Sequence, residues 1–250
     1  MKGVVLAGGL GSRLLPLTKV TNKHLLPVYN KPMIYYPIQT LVNAGVTEIM
    51  LVTGGNSAGD FLKLLGNGRE FGLKHLSYTY QQGEGGIADA LRLAQDFAEA
   101  SKICVVLGDN IIERSIARAA RAFADQPTGA KLILKEVPDA QRFGVAEFEG
   151  APGRSPIRRI IEKPANPPSA FAVTGMYFYD HDVFSMCNAL TPSDRGELEI
   201  TDVNNYYLNR GDMTCETLEG WWTDAGTIPS LYRATRLVAE GGANHPDPHA

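Results

Sequence analysis

Apolar and polar positions alternate between two textures over the first 130 residues. Residues 76–80, where Leu, Ser, Tyr, Thr and Tyr alternate, predict one strand, and short continuous apolar runs cover residues 4–6, 49–52 and 103–107. Runs of that length predict fully buried strands. Between them, apolar residues recur at helical spacing. Ile34, Ile38, Leu41 and Val42 form one stripe that stops at Gly45, with Pro37 predicting a kink or a late start. Residues 60–65 predict a short helix ended by Gly66. Ile87, Ala90, Leu91, Ala94 and Phe97 mark one face of a single helix, and another helix runs through Ala119 and Phe123. Strands alternating with helices predict right-handed βαβ crossovers and a mainly parallel sheet covered on both faces. Ligands of such sheets sit beyond the carboxyl ends of the strands. Residues 8–13 and Asp109 both follow strand carboxyl ends, which places them in one crevice.

From Lys131 the texture changes. Short β-like runs at 132–134, 145–148, 159–161 and 173–179 are separated by the turn-rich stretches "APGRSP" and "KPANPPSA". They predict a smaller, more antiparallel lobe within the same domain. A helix follows over about 199–208, and a last helix carries Ile228, Leu231, Tyr232, Thr235 and Val238, with Thr227 as its cap. Residues 241–250, "GGANHPDPHA", predict a frayed tail.

Composition narrows the classes. The chain has 250 residues, 44% apolar and 20% charged, with a formal net charge of −3. That balance gives no general attraction to nucleic acid or to an anionic membrane, so an anionic ligand must be held by local charge. No apolar run is long enough to cross a bilayer. "MKGVVLAGG" runs straight into a strand rather than forming a signal peptide. Cys104, Cys187 and Cys215 are far apart and in no metal-type spacing, which points to a reducing compartment, the cytoplasm.

The local charge lies in "LAGGLGSRLLPLTKVTNKHLLPV", where glycines end a strand and Arg13, Lys19 and Lys23 follow. Glycines let backbone N–H groups approach an anion, and Arg13 offers a planar fork for phosphate oxygens. The chain has no Gly-Lys-Ser/Thr, so this is not a P-loop. Leu14 stands at the third glycine of G-x-G-x-x-G, so it is not the dinucleotide fingerprint either.

The motifs "LAGGLGSRLLPLT", "NKHLLPVYNKPMIYYPIQTL", "VLGDN", "FGVAEF", "IEKP", "VTGMYFYD", "GELEITDVN" and "WTDAGT" occur in that order between Lys2 and about Glu240. Together they resemble the glucose-1-phosphate thymidylyltransferases, within the sugar-phosphate nucleotidyltransferases. The short members are the nearest in form, since the longer ones carry further C-terminal helices. The resemblance implies an α/β, Rossmann-like three-layer sandwich with a mainly parallel mixed sheet. Its nucleotide-binding lobe would cover about 1–130, a β-rich sugar-binding lobe about 131–227, and a closing helix 228–240. It implies transfer of a thymidylyl group from dTTP to glucose 1-phosphate, Mg²⁺ as cofactor, and a homo-oligomer, dimer or tetramer. UTP or another hexose 1-phosphate, and a catalytically silent regulatory homologue, are the alternatives.

Carried over residue by residue, the resemblance assigns Leu6, Gly8, Gly9, Gly11, Ser12, Arg13, Gln81, Gly86 and Asp109 to the nucleotide. Arg13, Lys23, Lys163 and Asp109 are the catalytic set. Gly144, Glu162, Lys163, Val173, Tyr177 and Glu197 face the sugar phosphate, and Asp109 and Asp224 hold the metal. Each assignment has a plainer counterpart. Asp109 could cap a helix starting near Ile111, Asp224 could be a turn residue, Glu197 could be a helix-entry charge, and Val173 and Tyr177 could be core. Pro164 biases Lys163 toward extended backbone. The base-reading stretch "QQGEGGIADA" departs from the family pattern Q-x-x-P-x-G-L-A-x-A. Glu84 replaces the usual proline and Asp89 an uncharged residue. His24 reads as packed or loop-supporting, His245 and His249 as tail, Trp221 and Trp222 as anchors of the last strand, and Tyr35 and Tyr36 as packing.

Overall fold

In chain order the elements are β1 (Lys2–Ala7), a ribbon of β2 (Pro27–Val28) and β3 (Lys31–Pro32), α1 (Tyr35–Asn43), β4 (Glu48–Gly54), α2 (Ala58–Leu65) and β5 (His75–Gln81). Next come α3 (Ile87–Arg92), α4 (Gln95–Ala98), β6 (Ile103–Leu107), β7 (Asn110–Ile112), α5 (Ala117–Asp125), β8 (Ala130–Glu136), β9 (Gly144–Phe148) and β10 (Ile157–Glu162). The chain closes with β11 (Phe171–Tyr179), α6 (Asp182–Ala189), α7 (Ile200–Arg210), β12 (Met213–Thr217), β13 (Trp222–Asp224) and α8 (Ile228–Gly241). The computed structural model describes residues 1–55 and 57–246; His249 and the end of the tail lie outside them.

Strands β5, β4, β1 and β6 pair in parallel. β11 joins β6 antiparallel, β8 joins β11 antiparallel, and β12 joins β8 in parallel. The continuous runs of the first strands have a simple cause, because both faces are covered. Val4, Leu6 and Val105 pack with Leu91, Phe184, Val203 and Tyr207 on one side. Val5, Ala7, Cys104 and Val106 pack with Ile38, Leu41, Phe61 and Phe123 on the other. Burying each Val, Leu, Ile or Phe side chain among them contributes about 1.5–3 kcal/mol. The strand period of two assigns neighbours to opposite layers.

β11 pairs with β6 only over residues 176–179. Its first half turns away and meets β9 at Ala172↔Val145, and β10 lies antiparallel on β9. The sheet therefore forks just beyond the carboxyl end of β6. A second device closes the same end. β7 and β13 pair antiparallel, with Asn110 opposite Asp224. α8 packs over this ribbon and the glycine-rich segment through Leu14, Val28, Met33, Ile111, Ala225 and Val238. It starts at Thr227, whose side chain and that of Ser230 form a reciprocal capping box.

Several expectations need correction. The helix drawn through Phe97 divides into α3 and α4, because Leu93 and Ala94 tighten to bonds with Ala90 and Leu91, three residues back. α6 and β12 have no counterpart in the sequence reading. β12 is a half-polar edge strand, stabilised by pairing with β8 rather than by an apolar run. Asp109 caps no helix, since the residues after it form β7. Pro37 sits in the first turn of α1, so the stripe starts late rather than kinking. The tail is docked as far as it is described: Asn244 bonds to Thr40, to Tyr36 O and to Asn43, and His245 bridges Arg114.

Candidate active site

A cavity of about 700 Å³ occupies the fork. Its first wall is the segment that leaves β1. Leu6 is buried at the strand end, and Gly8, Gly9, Gly11, Ser12 and Arg13 follow along the lining. Gly11 has φ +70°, and a Cβ there would lie 2.8 Å from Lys23 Cβ and 2.9 Å from Thr18 Cγ2. Only glycine lets the loop fold onto Lys23 in this way. Lys19 does not line the cavity.

At the back stand the two acids. Lys23 Nζ lies 2.6 Å from Asp109 Oδ2, with both side chains largely buried. Burial pushes the Asp109 carboxyl up, but the Lys23 ammonium outweighs it and holds the group well below the usual carboxylate range. Asp224 accepts two hydrogen bonds from Arg142 Nη2, at 3.0 and 2.9 Å. Its carboxyl is raised, first by burial and then by the Asp109 charge. The β7–β13 ribbon explains their meeting: Asn110 opposes Asp224, and the Ala225 N–H donates to Asp109 O at 2.8 Å. A Cβ on Gly226 would lie 3.2 Å from Asp109 Oδ2, 3.3 Å from Arg13 Nη2 and 3.4 Å from Asp224 Oδ2. One point therefore touches both acids and the loop arginine. Two oxygen-donor carboxylates around such a point suit a hard divalent cation. Among the described residues no larger cluster of ligating side chains exists.

On the β5 side, Gln81 closes the strand and Gly86 stands at the start of α3 with φ +96°. A Cβ on Gly86 would lie 2.7 Å from Leu198 O, so glycine is needed for this close approach. Glu84 reaches the opposite wall, where its Oε1 accepts from the Leu10 N–H at 3.2 Å.

The third wall comes from the antiparallel lobe. Val173 and Tyr177 lie four residues apart on β11 with Gly175 midway between them, all on the cavity face. Gly144 opens β9, paired with Glu162 at the end of β10. Glu162 Oε2 accepts from Thr201 Oγ1 at 2.7 Å, and its Oε1 lies 3.1 Å from Lys163 Nζ. Glu197 pairs with Arg195 at 3.2 Å. Lys163 is not extended, as Pro164 suggested, but has φ +42°. Its N–H donates to Phe143 O at 3.0 Å, which turns the chain at the end of β10 and aligns the lysine with this wall.

Every sequence-assigned residue thus lines one cavity, together with several that the sequence did not single out. Arg142 and Arg195 add cations, and Arg195 also contacts Glu162 and Glu199. Asn110 Oδ1 accepts from Trp222 Nε1 and from Gly175 N–H, so its Nδ2 faces Asp109 Oδ1 at 3.0 Å. Its place beside Asp109 in "VLGDN" was the available signal. Arg142 precedes "FGVAEF" and carried none.

His24 is packed, as expected, with Nδ1 donating to Asn22 Oδ1 at 2.7 Å. Burial, then Lys23, pushes it from 6.5 down to about 3. The folded chain keeps this ring neutral while the unfolded chain takes up a proton below about pH 6.5. Stability is therefore expected to fall as pH drops from about 6.5 toward 3, by roughly 1 kcal/mol per pH unit from this group. Melting temperatures across that window, compared with those of His24→Gln, test this. An equal acid slope in the variant rejects it.

The chain is similar to known proteins along almost its whole length. A family profile described as nucleotidyl transferase matches residues 2–241. The glucose-1-phosphate thymidylyltransferase of an Actinoplanes species is 42% identical over 246 residues, covering 96% of this chain and 80% of the relative. That of Neisseria meningitidis serogroup A is 42% identical over 241 residues, covering 95% and 82%. A crystal structure from Bacillus anthracis, provisionally assigned as a glucose-1-phosphate thymidylyltransferase and bound to sucrose, superposes with TM-score 0.89 at 51% identity. It covers 95% of this chain and 94% of that one. A UDP-glucose pyrophosphorylase complexed with UDP-glucose, at 24% identity and TM-score 0.84, shares the fold.

Proposed function

The chain belongs to the nucleotidyl transferase family, and from that membership we propose that it transfers a thymidylyl group from dTTP to glucose 1-phosphate, giving dTDP-glucose and pyrophosphate. The carrying observation is that one cavity holds a bare glycine loop with cations at one end and a wall of hydroxyl acceptors at the other, with two acids between them. The names of the relatives supply the base and the sugar.

In this reading the N–H groups of Gly8, Gly9, Gly11 and Ser12, with Arg13 and Lys23, take the triphosphate. Gln81 and Gly86 face the base beside Leu6. Gly144, Glu162, Val173, Tyr177 and Glu197 surround the sugar, and Lys163 grips its phosphate. A sugar-phosphate oxygen attacks the α-phosphorus. The new O–P bond forms as the bond from that phosphorus to the bridging oxygen breaks, and the electron pair leaves with pyrophosphate. The nucleophile is already an anion, so no general base is required. The residues act by alignment and by cancelling repulsion between two polyanions. Asp109 and Asp224 would hold Mg²⁺, which keeps waters and takes substrate phosphate oxygens besides one or two carboxylates. Bound there, it would neutralise charge developing at the transferred phosphoryl group.

The working unit is a homo-oligomer, dimer or tetramer, in the cytoplasm. Among the described residues no helix is long and apolar enough to cross a membrane. Pyrophosphate release is measured with dTTP or UTP and glucose 1-phosphate, with and without Mg²⁺. Turnover with dTTP that requires Mg²⁺ is expected, and no turnover with either nucleotide overturns the proposal.

A further inference from the structure

We infer that Asp89 sets base selectivity by fixing the amide of Gln81 so that only an acceptor faces the nucleobase. This rests on the nucleotide-binding reading above. Gln81 is 5% exposed. Its Nε2 donates to Asp89 Oδ2 at 2.7 Å and to Gly86 O at 3.2 Å. Both partners are oxygens that accept only. A flipped amide would aim Oε1 at both of them, so one orientation is allowed. Both amide hydrogens are then engaged, and Oε1 is the group left to read a ligand.

Its position is marked by Gly8, since a Cβ there would lie 2.5 Å from Gln81 Oε1. Gly8 and Gln81 both line the cavity. Asp89 is held in turn, because its Oδ1 pairs with Arg92 Nη2 at 2.6 Å across one helical turn of α3, and its side chain is 14% exposed. Arg92, Asp89 and Gln81 therefore form a chain of contacts that ends in a single presented oxygen.

That oxygen discriminates by the protonation of the ring nitrogen it meets. Thymine and uracil carry N3–H, which donates to Oε1. Cytosine carries an unprotonated N3, which sets lone pair against lone pair. Where the family pattern has an uncharged residue, this chain has a carboxylate that cannot donate to Oε1 and so cannot support the flipped amide. Asp89 is a positioning residue and touches no reacting atom.

The test compares dUTP with dCTP, two pyrimidine nucleotides that both lack the thymine methyl group. Their affinities are measured by calorimetry on the full chain, on Asp89→Asn and on Asp89→Ser. Wild type is expected to bind dUTP at least about tenfold tighter than dCTP. In Asp89→Asn the new amide can donate to a flipped Gln81, and in Asp89→Ser the hydroxyl can donate or accept. Both variants are expected to lose most of the ratio. Equal binding by wild type overturns the inference without any variant. Affinities that fall together at constant ratio also overturn it, since that is what a merely structural role produces. Turnover of wild type with dTTP and glucose 1-phosphate is measured in parallel. Its absence beside a shifted binding ratio would reject the transfer reaction and leave the base-reading device standing.

Discussion

Asp109→Asn is expected to lower kcat by a factor of about a thousand or more while the fold persists. Removing one preorganised donor from a charge-stabilising site typically costs a hundred- to a thousandfold, and this change also removes a charge that would hold the metal. The amide keeps the volume of the carboxylate. Its Oδ1 can still accept from Lys23, which now lies 2.6 Å from Asp109 Oδ2. The ammonium is therefore not left unpaired in a largely buried place. With the Asp109 charge gone, the carboxyl of Asp224 also loses a repulsion that raises it. Steady-state rates at saturating substrates and a thermal melt on the same sample check this. A variant within tenfold of the wild-type rate would remove Asp109 from the reaction.

Lys163→Ala is expected to act through the sugar phosphate. The side chain is half-exposed and its Nζ meets only Glu162 at 3.1 Å among the described residues. The turn that carries it is made by the backbone bond to Phe143 O, which alanine retains. Loss of one charge-assisted contact to a phosphate is expected to lower kcat/KM for glucose 1-phosphate by about a hundredfold, chiefly as a rise in KM. The KM for dTTP should move little. Initial rates at varied sugar phosphate and fixed dTTP separate the two, and an unchanged sugar-phosphate KM excludes the role.

Much of the site was legible because its parts lie in short, unusual strings. "LAGGLGSR" can be read as strand, bare turn and cation in order, and "VLGDN" as a strand ending on an acid. Buried strands with both faces covered leave continuous apolar runs, so β1, β4 and β6 were also legible. Other features were hidden for physical reasons. β12 is held by edge pairing, which leaves no pattern in its own residues. The positive φ of Lys163 comes from a bond to Phe143, against the local bias of Pro164. The partnership of Arg142 with Asp224 joins two segments that nothing local connects.

By itself the sequence determined most of the succession of strands and helices, the glycine turn and the kinds of side chain available for phosphate, sugar and metal. Those properties follow from local sterics and from the periodicity of burial, which each segment carries within itself. The tertiary structure alone decided that β11 leaves β6 to open a fork, that the β7–β13 ribbon brings Asp109 and Asp224 to one point, and that Asp89 orients Gln81. Each depends on pairing between segments distant along the chain. The energy of such pairing belongs to the contact and is written in neither partner separately.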